Sequence, residues 1–339
     1  HSVLPTGSAA DVALGGFVRR RLGDEAWERL VEPLMAGIYA ADGDQLSLAA
    51  TFPQLQTAER EHGGLIKGVV AARRQGPANG APPKAPFLTP AAGLGTMVEA
   101  LTAELRAAGA TIRTGVAVTA LARHGTGYQL RLDTGETLAA DAVVIATPAH
   151  VAADLLRGID APLAEDLTGI PHSSTAIVTL AYRTEQIARP LTSHGYVVPR
   201  VVGGPVLACT WSSRKWGGRA PDGYDLLRVF LGRSGNGEAL LEFDDATLLA
   251  IAREEVARRL GAEGEPALSR VQRWPRGMPQ YVLGHPARVQ RIEAGFARHP
   301  GLALAGNALR GVGVPDVIRS GEASADQVAT ALPSMAAPA

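Results

Sequence analysis

The sequence predicts an α/β (α+β) fold in two interleaved lobes: a parallel sheet with flanking helices, a second mixed sheet, and a helical segment at the start of the chain. Three observations predict it. An amphipathic helical stretch and a set of short strands lead into the wholly apolar run AVVIAT, and the chain closes on strand, glycine-rich turn and helix, the succession that builds a parallel sheet. TAIVTLAY, PVLACTW and DLLRVFLG read as longer strands of another sheet. Finally, 339 residues exceed the roughly 250–300 at which a single core stops growing.

Ser8 can cap a helix over SAADVALGGFVRRRLG that Gly23 ends, and Asp24 caps a second helix, DEAWERLVEPL, whose pattern breaks after Pro33. Residues 73–86, RRQGPANGAPPKAP, carry Pro, Gly and Asn without an apolar period and read as an exposed loop or lid. GLGTMVEALTAELRAAG reads as a helix with Met97, Leu101 and Leu105 on one face and Gly109 as its stop. Beyond Gly115, turns at HGTG and DTGE divide the chain into a small meander, after which AVVIAT reads as central and buried. DATLLAIAREEVARRLG is a helix capped by Asp244 or Asp245 and stopped by Gly261. The last unit is the strand GLALAG, the turn NALRGVG and the helix from Pro315, with a tail at 333–339 that reads as disordered. The expected blocks are 1–92, 93–158, 159–298, 299–332 and the tail.

Composition narrows the function. Hydrophobic residues make up 46% of the chain and charged residues 19%, enough apolar content to fold. Thirty-three Lys plus Arg balance thirty-three Asp plus Glu, so no global field draws in nucleic acid or an anionic membrane, and an anionic ligand must be met locally. Cys209 is the single cysteine, in an apolar run that predicts a buried thiol, and this usage fits a reducing, cytoplasmic compartment. No run approaches the ~18 apolar residues of a spanning helix, and the opening residues lack the features of a signal peptide. The non-Met start suggests a processed or cut chain.

Chemistry-bearing groups are few. A strand ending at Gly306, a turn with Gly311 and Gly313, and a helix opening at Pro315 present free N–H groups and a positive dipole end, where an anion or electron-rich ring atom can be received. GLGTMV at Gly93 is not a dinucleotide fingerprint: Val98 stands at its third glycine position, and a proline-bearing loop precedes it. RWPRGMPQYVLGH has two prolines and two glycines that interrupt any regular element, and Trp274 in it is expected to pack in the core. His62, His150, His172 and His285 show no metal spacing, and no nucleophile elbow is present.

Taken together, GIYAADGDQLSLAATFPQL, AAGLGTMVEAL, GVAVTAL, ADAVVIATPAHVAADLL, MPQYVLGH and GNALRGVGVPDVIRSGEASA resemble the protoporphyrinogen and coproporphyrinogen oxidases of the flavin amine-oxidase superfamily. The resemblance implies an FAD/NAD(P)-binding-like sheet, here incomplete because the family's opening GxGxxG unit is absent. By position, Val118 resembles the residue whose backbone meets the FAD adenine, and Trp274 an aromatic beside the cofactor. Val312, Gly313 and Val314 resemble the stretch against the flavin, with Gly306 and Asn307 near its ribityl and phosphate region. Leu309, Val317 and Ala41 depart from family habit.

The activity implied is removal of hydride from a porphyrinogen to the flavin, three times over, with O₂ reoxidising the cofactor. Arg310, Arg214 and Lys215 are candidates to meet the substrate's propionates. Contact with a membrane would be peripheral, and without the GxGxxG unit this polypeptide is expected to hold FAD poorly. Rival readings are an amine oxidase or desaturase of the same superfamily and a noncatalytic porphyrin-binding fragment.

Overall fold

In a computed structural model of the protein, residues 11–64, 67–68, 70–71, 87–233, 235 and 237–332 are described. Ser8, the loop 73–86 and the tail 333–339 lie outside them. Contacts divide the chain into two compact units, the first holding residues 1–45, 53–112 and 173–278, the second 46–52, 113–172 and 279–339. These bounds differ from consecutive blocks: the helix Gly95–Ala107 groups with the first unit and residues 279–298 with the second, because packing partners rather than chain order set membership.

Among the described residues the strands are, in chain order, β1 (Val118–His124), β2 (Gly127–Leu132), β3 (Thr137–Ala140), β4 (Val143–Ile145), β5 (His172–Arg183), β6 (Gly195–Val197), β7 (Val206–Trp211), β8 (Tyr224–Leu231), β9 (Leu268–Pro279) and β10 (Leu302–Leu304).

The first unit opens on the helix Leu14–Leu22, ended by Gly23 at φ 89°, whose N–H donates to the Arg19 carbonyl. A π turn over Trp27–Val31 then runs into the helix Glu32–Tyr39. The expected break after Pro33 does not occur. The helical run is unbroken from Asp24, the π turn just before Pro33 absorbs a residue without an N–H, and the helix continues to Tyr39, with Ala40 at φ 49°.

The unit's sheet has the order β6-β7-β8-β5-β9. Alternation sorts its central strands: Val178 and Leu180 of β5 oppose Val229 and Leu227 of β8 on one face. There they bury against Leu248, Ala252, Val256 and Leu260 of the helix Asp245–Leu260, each fully buried Val or Leu contributing about 1.5–3 kcal/mol. That helix is bounded as expected, with Asp244 accepting the Thr247 N–H at 2.8 Å and Gly261 left-handed at φ 64°. Cys209 on β7 is fully buried, and burial pushes its thiol up to about 12. β9 corrects another expectation, since it runs through Pro275 and Gly277 with Arg276 at φ 48°. As the last strand of the sheet it has a neighbour on one side only, so a missing N–H on the other side costs nothing. Trp274 on β9 is 51% exposed, not packed in the core. The helix Gly95–Ala107 forms as expected, but none of its residues is buried, and Met97, Leu101 and Leu105 are exposed.

In the second unit β1, β2 and β3 form the antiparallel meander, and β4 pairs with β10 in parallel. β4 is not the buried central strand expected of AVVIAT: among the described residues it has a single neighbour, and Val144 is 39% exposed. Ile145, Leu156, Leu163, Leu167, Ile292 and Phe296 supply the core.

Asp160 fastens this core by capping the helix Ala161–Thr168 through the Leu163 N–H (3.0 Å) and accepting from Arg298 (2.6 Å) and His299 Nε2 (2.9 Å). Burial alone would raise its pKa, but the hydrogen bonds from His299, Leu163 and Arg298 outweigh burial and hold it at about 2. A carboxyl depressed in the fold stabilises fully above its unfolded pKa and loses that contribution as pH falls through the folded value. We expect about 2.5 kcal/mol of stability to disappear between pH 5 and 2 and to be absent from Asp160→Ala at neutral pH. Urea titrations of both proteins at a series of pH values measure it; identical pH slopes would contradict it. No helix among the described residues is long and apolar enough to cross a membrane.

Candidate functional site

The closing turn of the second unit is built from its backbone outward. β10 is buried throughout, and just past it the Ala305 N–H donates to the Ile145 carbonyl at 2.8 Å. Gly306 then turns the chain at φ 117°, its N–H donating to Ser320 Oγ at 3.0 Å. Nothing lies within 4 Å of where a Cβ would stand on it, so the space above this backbone is open. Gly311 is left-handed at φ 69°, and a Cβ there would collide with the Asp316 side chain.

Gly313 caps the helix Val314–Ala331 with extended backbone, Pro315 occupies the first turn, and no side chain caps that end. The helix N-terminus presents its dipole at Val312, Gly313 and Val314, and the Asp316 carboxylate of its first turn, paired with Arg319, stands beside Gly311 and Gly313 without capping that end by a hydrogen bond. Ser324 Oγ donates to the Leu304 carbonyl (2.9 Å) and Gln327 to that of Leu302 (3.4 Å), which stitches the helix to β10.

A second motif holds the turn in place. Tyr281 Oη donates to the Asn307 carbonyl at 2.6 Å, and His285 Nε2 bonds the Leu309 carbonyl at 2.8 Å. Because a carbonyl only accepts, Nε2 carries the proton. The two rings stack 4.3 Å apart at 20°. MPQYVLGH is thus a clamp under the NALR backbone, a role that sequence reasoning missed. The available signal was Tyr and His four residues apart around the left-handed Gly284 that starts the helix His285–Ala297.

Gly306, Asn307, Val312, Gly313 and Val314 come together in this one turn. Val118 lies in the same unit at the start of β1, beside a register irregularity that ends at Ala120. Trp274 belongs to the first unit. A cavity of about 600 Å³ borders the turn, lined by Phe296, Leu304, Leu309, Arg310 and Arg319 among others. Its cations are already paired, Arg310 with Glu293 and Arg319 with Asp316. Arg214 is likewise committed, bidentate on the buried Asp225 at 2.7 and 2.9 Å, and Lys215 stands 5.7 Å from the Trp216 ring centroid. The first two candidate propionate cations are thus each engaged with a carboxylate of this chain.

The turn fits a flavin. Gly306 leaves room for a flat group above its backbone, the helix end offers backbone N–H groups with the Asp316 carboxylate turned to Arg319, and Val314 and Ile318 expose apolar surface beside it. Fold and turn are those expected of a flavoprotein oxidoreductase. Residues 7–329 match the family of flavin containing amine oxidoreductases, and the chain belongs to that family. FAD is the cofactor this family uses.

Among its relatives, coproporphyrinogen III oxidase of Bacillus subtilis is 36% identical over 97% of this chain and 70% of its own length. The enzyme of the same name from Propionibacterium freudenreichii is 37% identical over 94% of this chain and 64% of its own length. A solved structure of a candidate protoporphyrinogen oxidase from Exiguobacterium sp. superposes with a TM-score of 0.83 at 33% identity, covering 98% of this chain and 69% of that one. The chain thus spans about two thirds of the length of the proteins it matches.

Proposed function

We propose that the protein of which this chain is part oxidises coproporphyrinogen III to coproporphyrin III in haem biosynthesis, with O₂ as the acceptor. The observation that carries this reading is 36–37% identity to two coproporphyrinogen III oxidases over nearly the whole chain. The location proposed with it is the cytoplasm, with any membrane contact peripheral.

Six electrons and six protons leave the macrocycle, and three O₂ become three H₂O₂. Bound FAD supplies the redox chemistry, accepting hydride from the substrate and passing its electrons to O₂. This chain's residues would position the group. The backbone from Val312 to Val314 offers N–H groups from a helix end, Gly306 admits a planar group, and Tyr281 and His285 fix the carbonyls of Asn307 and Leu309 so that the turn keeps its shape.

The full-length protein with FAD in air is expected to turn coproporphyrinogen III into fluorescent coproporphyrin with matching H₂O₂ release, at a higher kcat/KM than protoporphyrinogen IX. A higher kcat/KM on protoporphyrinogen would overturn the substrate, and no FAD-dependent gain in porphyrin fluorescence from either would overturn the activity.

A further inference from the structure

The face of the five-stranded sheet opposite its core carries a cation with no ion-pair or hydrogen-bond partner among the described residues. On β8 the core-facing residues are Asp225, Leu227, Val229 and Leu231, so Leu226, Arg228 and Phe230 point to the other face. Part of that face is covered: Ala36 and Ala40, at the end of the helix Glu32–Tyr39, cluster with Ala208, Val197 and Phe230. Next to this apolar row comes another, in which Arg228 stands between Thr179 of β5 and Thr210 of β7, with Gly195 of β6 beyond Thr210.

Among the described residues, neither the Arg228 guanidinium nor the hydroxyls of Thr179 and Thr210 make a hydrogen bond or ion pair. The recorded contact of Arg228 is with the Phe230 ring, 5.2 Å away. This is exceptional in the molecule. Every other described arginine that is at least partly buried reaches a carboxylate or carbonyl oxygen. The acid on the same strand, Asp225, lies on the opposite face and is held by Arg214, Ser213 and Thr184. Burial without compensation lowers the Arg228 pKa. A half-buried guanidinium with no partner among the described residues weakens the unliganded fold, and its place between Leu226 and Phe230 on that face of β8 points to a ligand that completes it.

We propose that Arg228, flanked by the hydroxyls of Thr179 and Thr210, is the subsite that receives a propionate carboxylate of the substrate. This rests on the porphyrinogen reading above. A planar fork of N–H donors with two hydroxyl donors beside it matches a carboxylate, and Gly195 leaves that end of the row without a side chain. A cation that meets a propionate carboxylate acts on binding rather than on the redox step.

The test compares the full-length protein with FAD against Arg228→Gln and Arg228→Lys. Coproporphyrin III, its tetramethyl ester and coproporphyrinogen III serve as ligands. For Arg228→Gln we expect KM for coproporphyrinogen and Kd for coproporphyrin to rise about 10- to 100-fold, with kcat nearly unchanged. The ester should bind both proteins equally, and Arg228→Lys should recover part of the loss. Thermal melting of Arg228→Gln should match or exceed that of the parent.

Unchanged KM and Kd in Arg228→Gln, with the parent active, would sink this subsite and leave the activity standing. A parent that neither oxidises nor binds porphyrins would sink both. A marked fall in melting temperature would show an internal partner for Arg228 and also overturn the subsite.

Discussion

Gly306→Val is expected to lower FAD affinity by at least about tenfold, a free-energy loss of roughly 1.4 kcal/mol, while leaving the second unit folded. Gly306 holds φ 117°, a conformation that L side chains rarely adopt, so any replacement strains the turn by about 1–3 kcal/mol. The protein itself does not resist the new side chain, because nothing lies within 4 Å of the Cβ position. What the valine meets is the space proposed for the cofactor. The full-length protein and its variant, titrated with FAD by flavin fluorescence, give the affinities directly. Equal affinity in the two proteins would remove Gly306 from the flavin site.

Asp225→Ala should destabilise the first unit by about 2–3 kcal/mol. The carboxylate is almost fully buried and accepts from Arg214 Nε and Nη2, Ser213 Oγ and Thr184 Oγ1. Removing it leaves those donors facing an empty acceptor position. The loss stays at the lower end of the range for a broken buried pair because Arg214 is partly exposed and regains water. Burial alone would raise the Asp225 pKa; the hydrogen bonds from Arg214, Ser213 and Thr184 outweigh it and hold the carboxyl below the ordinary range. Its contribution is therefore complete above the usual aspartate pKa and fades as pH falls through the depressed value. Urea unfolding at neutral pH and near pH 3 checks both statements: the difference between parent and variant should narrow in acid, and a difference that widens would reverse the sign.

Much of the fold was legible because local chemistry and tertiary packing agree. Asp244 and Gly261 bound their helix by capping alone, and the alternation of β5 and β8 declares a two-faced strand. Where they disagree, the sequence misleads. Pro33 reads as a breaker but follows a π turn within an unbroken helical run, and Pro275 and Gly277 read as interruptions but lie on a strand with one neighbour among the described residues. AVVIAT is as apolar as a central strand, yet β4 pairs on one side among the described residues. Hydrophobicity reports what a residue tolerates, and a neighbour strand is needed to realise it.

The amino-acid order was enough to specify the family, the glycine-rich turn from Gly306 to Val314 and the helix after it, because glycine, proline and helix-start chemistry act within a few residues. Which charges are spoken for depended instead on the folded arrangement. Arg310 and Arg214 looked as available as any cation until Glu293 and Asp225 were seen to hold them, while Arg228 was inconspicuous inside DLLRVFLG. A charge is paired or free according to what crosses it in space, and on β8 that depends on strand register and on which face each side chain takes.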